Sequence, residues 1–240
     1  MRRTDKLWGG YALIQDDRFF KLGQDSMLLS AFAAPPVRGK VIDLGCGNGA
    51  LGILLCARHK RITVTGLELQ PDVAALAQEN VEYNHLEQRM RIVTGDLKQH
   101  KKLFPTGAFD YVICNPPYFA NHSGYAAHGE NRHTARQETG CSAADAVQAA
   151  AYLVKYGGRA AFVYRPERVC ELITDMKQCQ LEPKRLRFVH QHAAAVPSAV
   201  LIEARRGSAP GVQVLPPLLV RGEAGDYTEE YRTIYHMEEF

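Results

Sequence analysis

The stretch Val41-Ile42-Asp43-Leu44-Gly45-Cys46-Gly47-Asn48-Gly49 joins a short apolar run to a glycine-rich turn, and an amphipathic segment follows directly. Glycine adopts backbone angles that other residues resist, and it lets a ligand approach the main chain closely. A strand, a glycine-rich turn and a helix in one unit favour a nucleotide-like cofactor at the carboxyl end of the strand. The stretch therefore predicts the first strand of an α/β fold.

Residues 41–206 alternate short apolar runs with longer amphipathic stretches, which is typical of a mostly parallel sheet covered by helices. The predicted strands are 41–44, 62–67, 90–94, 109–114, 159–164, 185–189 and 199–204. The predicted helices are 50–59, 71–84, 143–153 and 167–179. Gly157-Gly158 is interpreted as a break before the fifth strand, and the last two strands as a hairpin. We therefore expect a seven-stranded, mostly parallel sheet with a late antiparallel hairpin and helices on both faces.

Length and composition favour one globular domain over residues 1–240, in which 46% of residues are hydrophobic and 23% are charged. It would comprise an N-terminal segment (1–40), a core (41–206) and a C-terminal extension (207–240) to which little structure is assigned. The charged N-terminus lacks the pattern of a secretory signal, and no stretch approaches the roughly 20 apolar residues that span a bilayer. We expect a soluble, cytoplasmic protein with no metal, whose six cysteines are reduced.

Acidic residues stand at the ends of three successive predicted strands. Asp43 precedes the glycine turn, Glu68 follows the second strand, and Asp96 follows the third. The carboxyl ends of parallel strands meet at one edge of a sheet, so these carboxylates are expected to converge on one crevice, where Glu68 can accept both hydroxyls of a ribose. Each acid alone could instead cap a helix.

Asn115-Pro116-Pro117-Tyr118 directly follows the fourth apolar run. A planar amino or amide nitrogen is a poor nucleophile because its lone pair is delocalised, and a site that alkylates it must accept its hydrogens. The Asn115 side-chain oxygen and the Pro116 carbonyl are two adjacent acceptors, the prolines keep the backbone extended, and Tyr118 offers a ring face. An isolated tetrapeptide of this kind would favour a turn, but the upstream acids favour transfer to such a nitrogen.

These features resemble the Rossmann-like class I methyltransferases that depend on S-adenosyl-L-methionine (SAM). The resemblance implies SAM as cofactor, with the glycine loop at its methionine end, the second-strand acid on its ribose and the third-strand acid at its adenine. The implied cofactor-binding residues are Asp43, Gly45, Cys46, Gly47, Gly49, Glu68, Leu69, Asp96, Leu97 and Asn115. The implied catalytic residues are Asn115, Pro116, Pro117 and Tyr118. A dinucleotide is the competing cofactor, but the glycine spacing here departs from Gly-x-Gly-x-x-Gly.

Two further stretches, 19–32 and 130–138, resemble the bacterial tRNA adenine-N6 methyltransferases, typified by the enzyme that modifies adenine 37 of a valine tRNA. The resemblance implies methylation of adenine N6 in RNA, with tRNA as partner. The long loop after Tyr118 suits either a lid on a polyanion or a solvated loop. It carries His122, Tyr125, His128, Arg132, His133 and Arg136. A late basic cluster is a candidate phosphate surface or a solvated sheet edge. Its members are Lys184, Arg185, Arg187, His190, Arg205 and Arg206.

Other methyl acceptors remain open, because the tetrapeptide also occurs in enzymes that modify glutamine N5 in proteins, guanine N2 in rRNA or adenine in DNA. The glutamine enzymes usually carry a helical domain before the glycine strand, and the DNA enzymes an added recognition domain. Only 40 residues precede the glycine strand here, which disfavours both. The non-enzymatic alternative is a degenerate SAM-binding scaffold, against which the intact acids and tetrapeptide argue.

Overall fold

The computed structural model describes residues 1–116 and 141–237. Its strands are β1 (Arg2–Lys6), β2 (Ala12–Asp16), β3 (Lys40–Leu44), β4 (Thr63–Glu68), β5 (Met90–Thr94), β6 (Phe109–Cys114), β7 (Val154–Tyr164), β8 (Leu181–His190), β9 (Pro197–Arg206), β10 (Gln213–Val214) and β11 (Leu218–Leu219). Its α-helices are α1 (Gln24–Phe32), α2 (Ala50–Arg58), α3 (Pro71–Tyr83), α4 (His100–Leu103), α5 (Ala143–Leu153), α6 (Val169–Gln178) and α7 (Glu229–Tyr235). Short 3-10 helices cover Trp8–Gly10, Leu97–Gln99 and Pro166–Arg168.

The main sheet has the strand order β10-β8-β9-β7-β6-β3-β4-β5, and β11 also pairs with β8. Strands β3 to β7 pair in parallel, whereas β9 lies antiparallel between β7 and β8. The predicted parallel sheet and late hairpin are therefore confirmed. The predicted number of seven strands is wrong, because the C-terminal extension adds β10 and β11, and these two-residue strands are too short to leave a sequence pattern.

Apolar side chains fill both faces of the sheet. Val41 of β3 and Ile113 of β6 belong to a cluster that includes buried residues of α1 and α2. Ile42 and Val112, their neighbours in the same strands, belong to a second cluster with α5 and α6. Successive side chains of a strand point to opposite faces, so this alternation shows that helices cover both, as predicted.

The predicted break at Gly157-Gly158 is wrong, because both glycines lie inside β7. The pairing of β6 with β7 shifts register here, and Gly157 has a φ of 76°. A β-carbon on Gly158 would lie 2.8 Å from the carbonyl oxygen of Asp110. The two glycines therefore allow an irregular strand to continue where a side chain would separate it from its neighbour.

The N-terminal hairpin of β1 and β2 is held against α3 by two asparagines one helical turn apart. Asn80 accepts from the amide of Ile14 at 2.7 Å and donates to its carbonyl at 3.0 Å. Asn84 makes the same pair of bonds to Ala12, both at 2.8 Å. The Asn80 amide also donates to the carbonyl of Asn48 at 3.0 Å, which joins the hairpin to the glycine turn.

None of the helices within residues 1–116 and 141–237 has the length and apolar character needed to cross a bilayer. In the same two ranges, no three side chains of the metal-binding types come together as a site. None of the six cysteines, all of which lie in the described ranges, is paired in a disulfide.

Candidate active site

The glycine turn, Glu68 and Asn115 lie side by side at the carboxyl edge of the sheet. Leu44, the last residue of β3, pairs with Leu67 on one side and with Cys114 on the other. Within the sheet, β4 and β5 follow β3 in one direction, and the chain then crosses back to form β6 and β7 in the other direction. The strand order therefore reverses at β3. In open α/β sheets, ligands bind in the crevice at such a reversal.

An open cavity occupies this crevice. Seven of the predicted cofactor-binding residues line it: Gly45, Gly47, Glu68, Leu69, Asp96, Leu97 and Asn115. The cavity wall also contains residues that were not predicted, among them Phe19, Phe20, Gln70, Val73, Cys141 and Ala146. The two phenylalanines lie in a stretch noted for its resemblance, whereas no local pattern indicates Cys141 or Ala146.

Glu68 holds the glycine turn in place. Its carboxylate is buried and accepts from the amide of Gly47 at 2.9 Å and from that of Gln70 at 3.0 Å. The turn is also tied to β4, because the amides of Gly45 and Cys46 both donate to the Leu67 carbonyl. A carboxylate oxygen has two lone pairs, so each Glu68 oxygen can accept a further hydrogen bond from a ligand hydroxyl.

Asp43 lies beneath the glycine turn and does not line the cavity. Its side chain is 1% exposed, and its Oδ2 has no hydrogen-bond partner within the described part of the chain. Burial, followed by the nearby charge of Glu68, raises the pKa of Asp43 to about 8, against a weaker lowering by a backbone hydrogen bond from Gly52. The unpartnered Asp43 oxygen, close to the charge of Glu68, fits a ligand with positive charge, as SAM is, because such a ligand would favour the ionised form of Asp43.

Asp96 is half-buried, and its Oδ1 accepts from the amide of Lys98 at 2.8 Å. It therefore caps the short helix Leu97–Gln99, which is the structural role considered above. Asp96 also lines the cavity, and its second oxygen leaves it able to accept from a ligand amine as well.

Cys46 and Gly49 shape the turn from below and do not line the cavity. The Cys46 sulfur is buried against Gly66, where a β-carbon would lie only 2.7 Å from it. Gly49 begins α2 with a φ of 82°, a conformation that side chains disfavour. The structure gives both residues a role in the shape of the glycine turn, and their predicted contact with the cofactor stays a prediction.

Asn115 follows β6 and is half-buried, with its side-chain nitrogen donating to Ser26 Oγ at 3.2 Å. Pro116 is buried behind it and does not line the cavity. Pro117, Tyr118 and the loop segment 130–138 lie outside the described residues, so their predicted roles stay predictions. Sequence reasoning assigned no role to Ser26, although it lies in the stretch 19–32.

The late basic cluster has internal partners. Arg187 makes a bidentate pair with Glu230, at 2.6 and 2.7 Å, and Arg185 contacts Glu203. Three further members donate to carbonyl oxygens: Lys184 to Ala209, Arg205 to Gly157, and Arg206 to Val154. These contacts tie the cluster to the packing around β8 and β9, and its role as a phosphate surface stays a prediction.

Comparison with known proteins relates this chain to methyltransferases. The methyltransferase small domain family matches residues 23–167. A tRNA1(Val) (adenine(37)-N6)-methyltransferase of Shewanella halifaxensis is 32% identical over 80% of this chain and 71% of its own length. One of the same name from Shigella dysenteriae is 28% identical over 98% of this chain and 94% of its own.

A predicted O-methyltransferase of Agrobacterium tumefaciens shares the fold, with a TM-score of 0.73 and 21% identity over 89% of this chain and 96% of that one. The Rossmann-like methyltransferase architecture is thereby shown. The chain belongs to the methyltransferase small domain family and is a SAM-dependent methyltransferase.

Proposed function

We propose that this enzyme methylates the exocyclic N6 of an adenine in RNA, with a tRNA as its substrate. The relative from Shigella dysenteriae, whose name specifies adenine 37 of a tRNA, aligns with 98% of the chain. The single structural observation that carries the proposal is that Asn115 lines the same cavity as Gly47 and Glu68. A tRNA substrate also implies a cytoplasmic location, and the chemistry below requires no metal.

The cofactor would lie along the carboxyl ends of β3, β4 and β5. Glu68 would accept the ribose hydroxyls, and Asp96 the adenine amino group, while both remain bound to backbone amides. Asp43 would stabilise the positive charge of the ligand from below the glycine turn. When bound, SAM supplies a methyl group that its sulfonium makes electrophilic.

Asn115 Oδ1 and the Pro116 carbonyl would accept the two hydrogens of the target amine. These bonds fix the plane of the amine and favour a lone pair directed at the methyl carbon, because charge develops on the nitrogen during transfer. As the N–C bond forms, the S–C bond breaks and its electron pair stays on sulfur. The nitrogen then carries a positive charge and releases one proton to solvent, so no ionisable base is needed. Tyr118 would stack on the adenine after it leaves its own stack.

The test measures methyl transfer from labelled SAM to bulk tRNA, to DNA and to a release factor in parallel, followed by nucleoside mass analysis. We expect N6-methyladenosine in tRNA only. Asn115→Ala should lower kcat about 100-fold, the loss typical when one preorganised polar group is removed from an active site. Its affinity for SAM should change less than about twofold, because the proposal assigns Asn115 to the amine. Glu68→Ala should weaken SAM binding about tenfold or more, since it removes a carboxylate that also orders the Gly47 amide.

Four results would contradict the proposal in distinct ways. Label in the release factor alone would indicate glutamine N5 as the acceptor, and label in DNA alone would indicate a DNA enzyme. Full transfer by the Asn115→Ala enzyme would show that the tetrapeptide does not carry the chemistry. SAM binding by the wild-type chain without transfer to any of the three substrates would leave only the scaffold function.

A further inference from the structure

Helix α1 is attached to β6 at both ends. Beyond its C-terminal end, the Ala34 amide donates to the Tyr111 hydroxyl at 3.0 Å, and that hydroxyl donates to buried Glu203 at 2.6 Å. At its N-terminal end, Ser26 Oγ accepts from the side-chain nitrogen of Asn115 at 3.2 Å. The helix therefore runs antiparallel to β6, and its first turn places the Ser26 hydroxyl at the proposed catalytic residue Asn115.

Between the two contacts, the helix and the strand span similar distances. Residues 26 to 34 advance about 12 to 15 Å, at ~1.5 Å per helical residue and more in the last, extended steps. Residues 111 to 115 advance about 13 Å along an extended strand. The Tyr111 contact thus sets the position of α1 along β6, and this position brings Ser26 level with Asn115.

The nitrogen end of the Asn115 amide faces Ser26 on the helix. An asparagine side chain carries an acceptor oxygen on one side and a donor nitrogen on the other, and a half-turn about its last bond exchanges them. Because the nitrogen of Asn115 faces Ser26, the oxygen lies on the opposite side of the amide. An amine that needs an acceptor can use Asn115 only in this orientation.

We propose that Ser26 is a positioning residue, which holds the Asn115 amide with Oδ1 presented to the methyl-accepting nitrogen. This inference rests on the proposed function. Ser26 suits the role because it is 8% exposed, so water competes little for its hydroxyl. The hydroxyl does not cap its own helix, which starts from Gly23 without a side-chain cap.

A second serine of α1 provides a matched control. Ser30 lies one turn further along and is fully buried, but its hydroxyl donates to the Met27 carbonyl and accepts from Arg58 Nε. Both serines are buried in one helix, and Ser30 contacts neither Asn115 nor the cavity within the described residues. A general loosening of α1 would therefore affect both alanine variants, whereas loss of amide orientation would affect only one.

The experiment compares single-turnover transfer to tRNA, SAM affinity and melting temperature for Ser26→Ala, Ser26→Thr and Ser30→Ala. We expect Ser26→Ala to lower the transfer rate about tenfold, with KM for tRNA and SAM affinity changed less than about twofold. Ser26→Thr keeps the hydroxyl and should restore the rate to within about threefold of wild type, and Ser30→Ala should stay within about twofold. A wild-type rate in Ser26→Ala would overturn the inference, as would an equal loss in Ser30→Ala.

The Asn115→Asp background supplies a second measurement, which separates positioning of the amide from a purely structural role of Ser26. A carboxylate presents an oxygen in either orientation, so Ser26→Ala should cost less than about twofold in that background. A tenfold loss in both backgrounds would overturn the positioning role. Failure of the proposed function looks different, because Asn115→Ala would then transfer at the wild-type rate or the wild type would not label tRNA.

Discussion

The buried carboxylate of Asp43 should make the stability of the cofactor-free enzyme fall as pH rises. Its pKa is about 8 in the folded protein, against 3.8 for the unperturbed group, because burial disfavours its charged form. The folded state therefore holds the proton more tightly than the unfolded state. The stabilisation is complete below about pH 4 and is lost as pH rises towards 8.

The magnitude follows from the slope that one proton imposes. Where the unfolded group is ionised and the folded group is protonated, the free energy of unfolding falls by about 1.4 kcal/mol per pH unit. Between pH 5 and pH 7 this amounts to about 2.7 kcal/mol. Asp43→Asn has the same shape and no charge, so it should remove this slope while the titrations of other groups continue unchanged.

The assay is urea unfolding of the cofactor-free wild type and of Asp43→Asn at several pH values from 5 to 8. The quantity of interest is the difference between their unfolding free energies, in which contributions common to both proteins cancel. We expect this difference to shift by about 2 to 3 kcal/mol in favour of the variant as pH rises from 5 to 7. Parallel curves over the whole range would refute the reasoning, because Asp43 would then not take up a proton on folding.

Two predictions concern the framework around the site. Asn80→Asp replaces the nitrogen that donates to the Ile14 carbonyl and to the glycine turn, so it should lower the free energy of urea unfolding by about 2 to 4 kcal/mol; a loss below about 1 kcal/mol would contradict this. Gly158→Ala places a β-carbon 2.8 Å from the Asp110 carbonyl and should cost about 2 kcal/mol or more in thermal unfolding. Gly222→Ala should cost less than about 0.5 kcal/mol, because open space surrounds the β-carbon that it would add. Equal losses in the two variants would show that the structure relieves the clash at Gly158.

The parallel core of the fold could be predicted because it depends on local patterns. The strand that ends at Glu68 is buried from Val64 onward, and it appears in the sequence as a run rich in β-branched residues, Thr63-Val64-Thr65, that an acid closes. The hairpin of β1 and β2 has no such signal, since β1 consists of Arg2–Lys6 and is largely exposed. Its position depends on Asn80 and Asn84, about 70 residues further along the chain, and spacing within the hairpin does not indicate that partnership.

The residues of the site likewise divide into those that local patterns predict and those that depend on distant contacts. Glu68 and Asn115 could be predicted because one closes and the other follows a strand whose end is visible in the sequence. Ser26 could not be assigned a role, because its contact with Asn115 joins residues 89 positions apart and depends on how α1 crosses the sheet. The protonation of Asp43 also required coordinates, since the burial that raises its pKa comes from several elements packed around β3.

Asp43 is buried beneath the cavity beside the Glu68 carboxylate, and its raised pKa lowers the stability of the empty protein as pH approaches neutrality. A cationic ligand would oppose this effect, because its positive charge favours the ionised form of Asp43. Binding of SAM should then release the proton of Asp43 near neutral pH, whereas binding of an uncharged analogue should not. A buried acid that weakens the empty enzyme would thus favour a sulfonium cofactor over its neutral product, which must leave after each transfer.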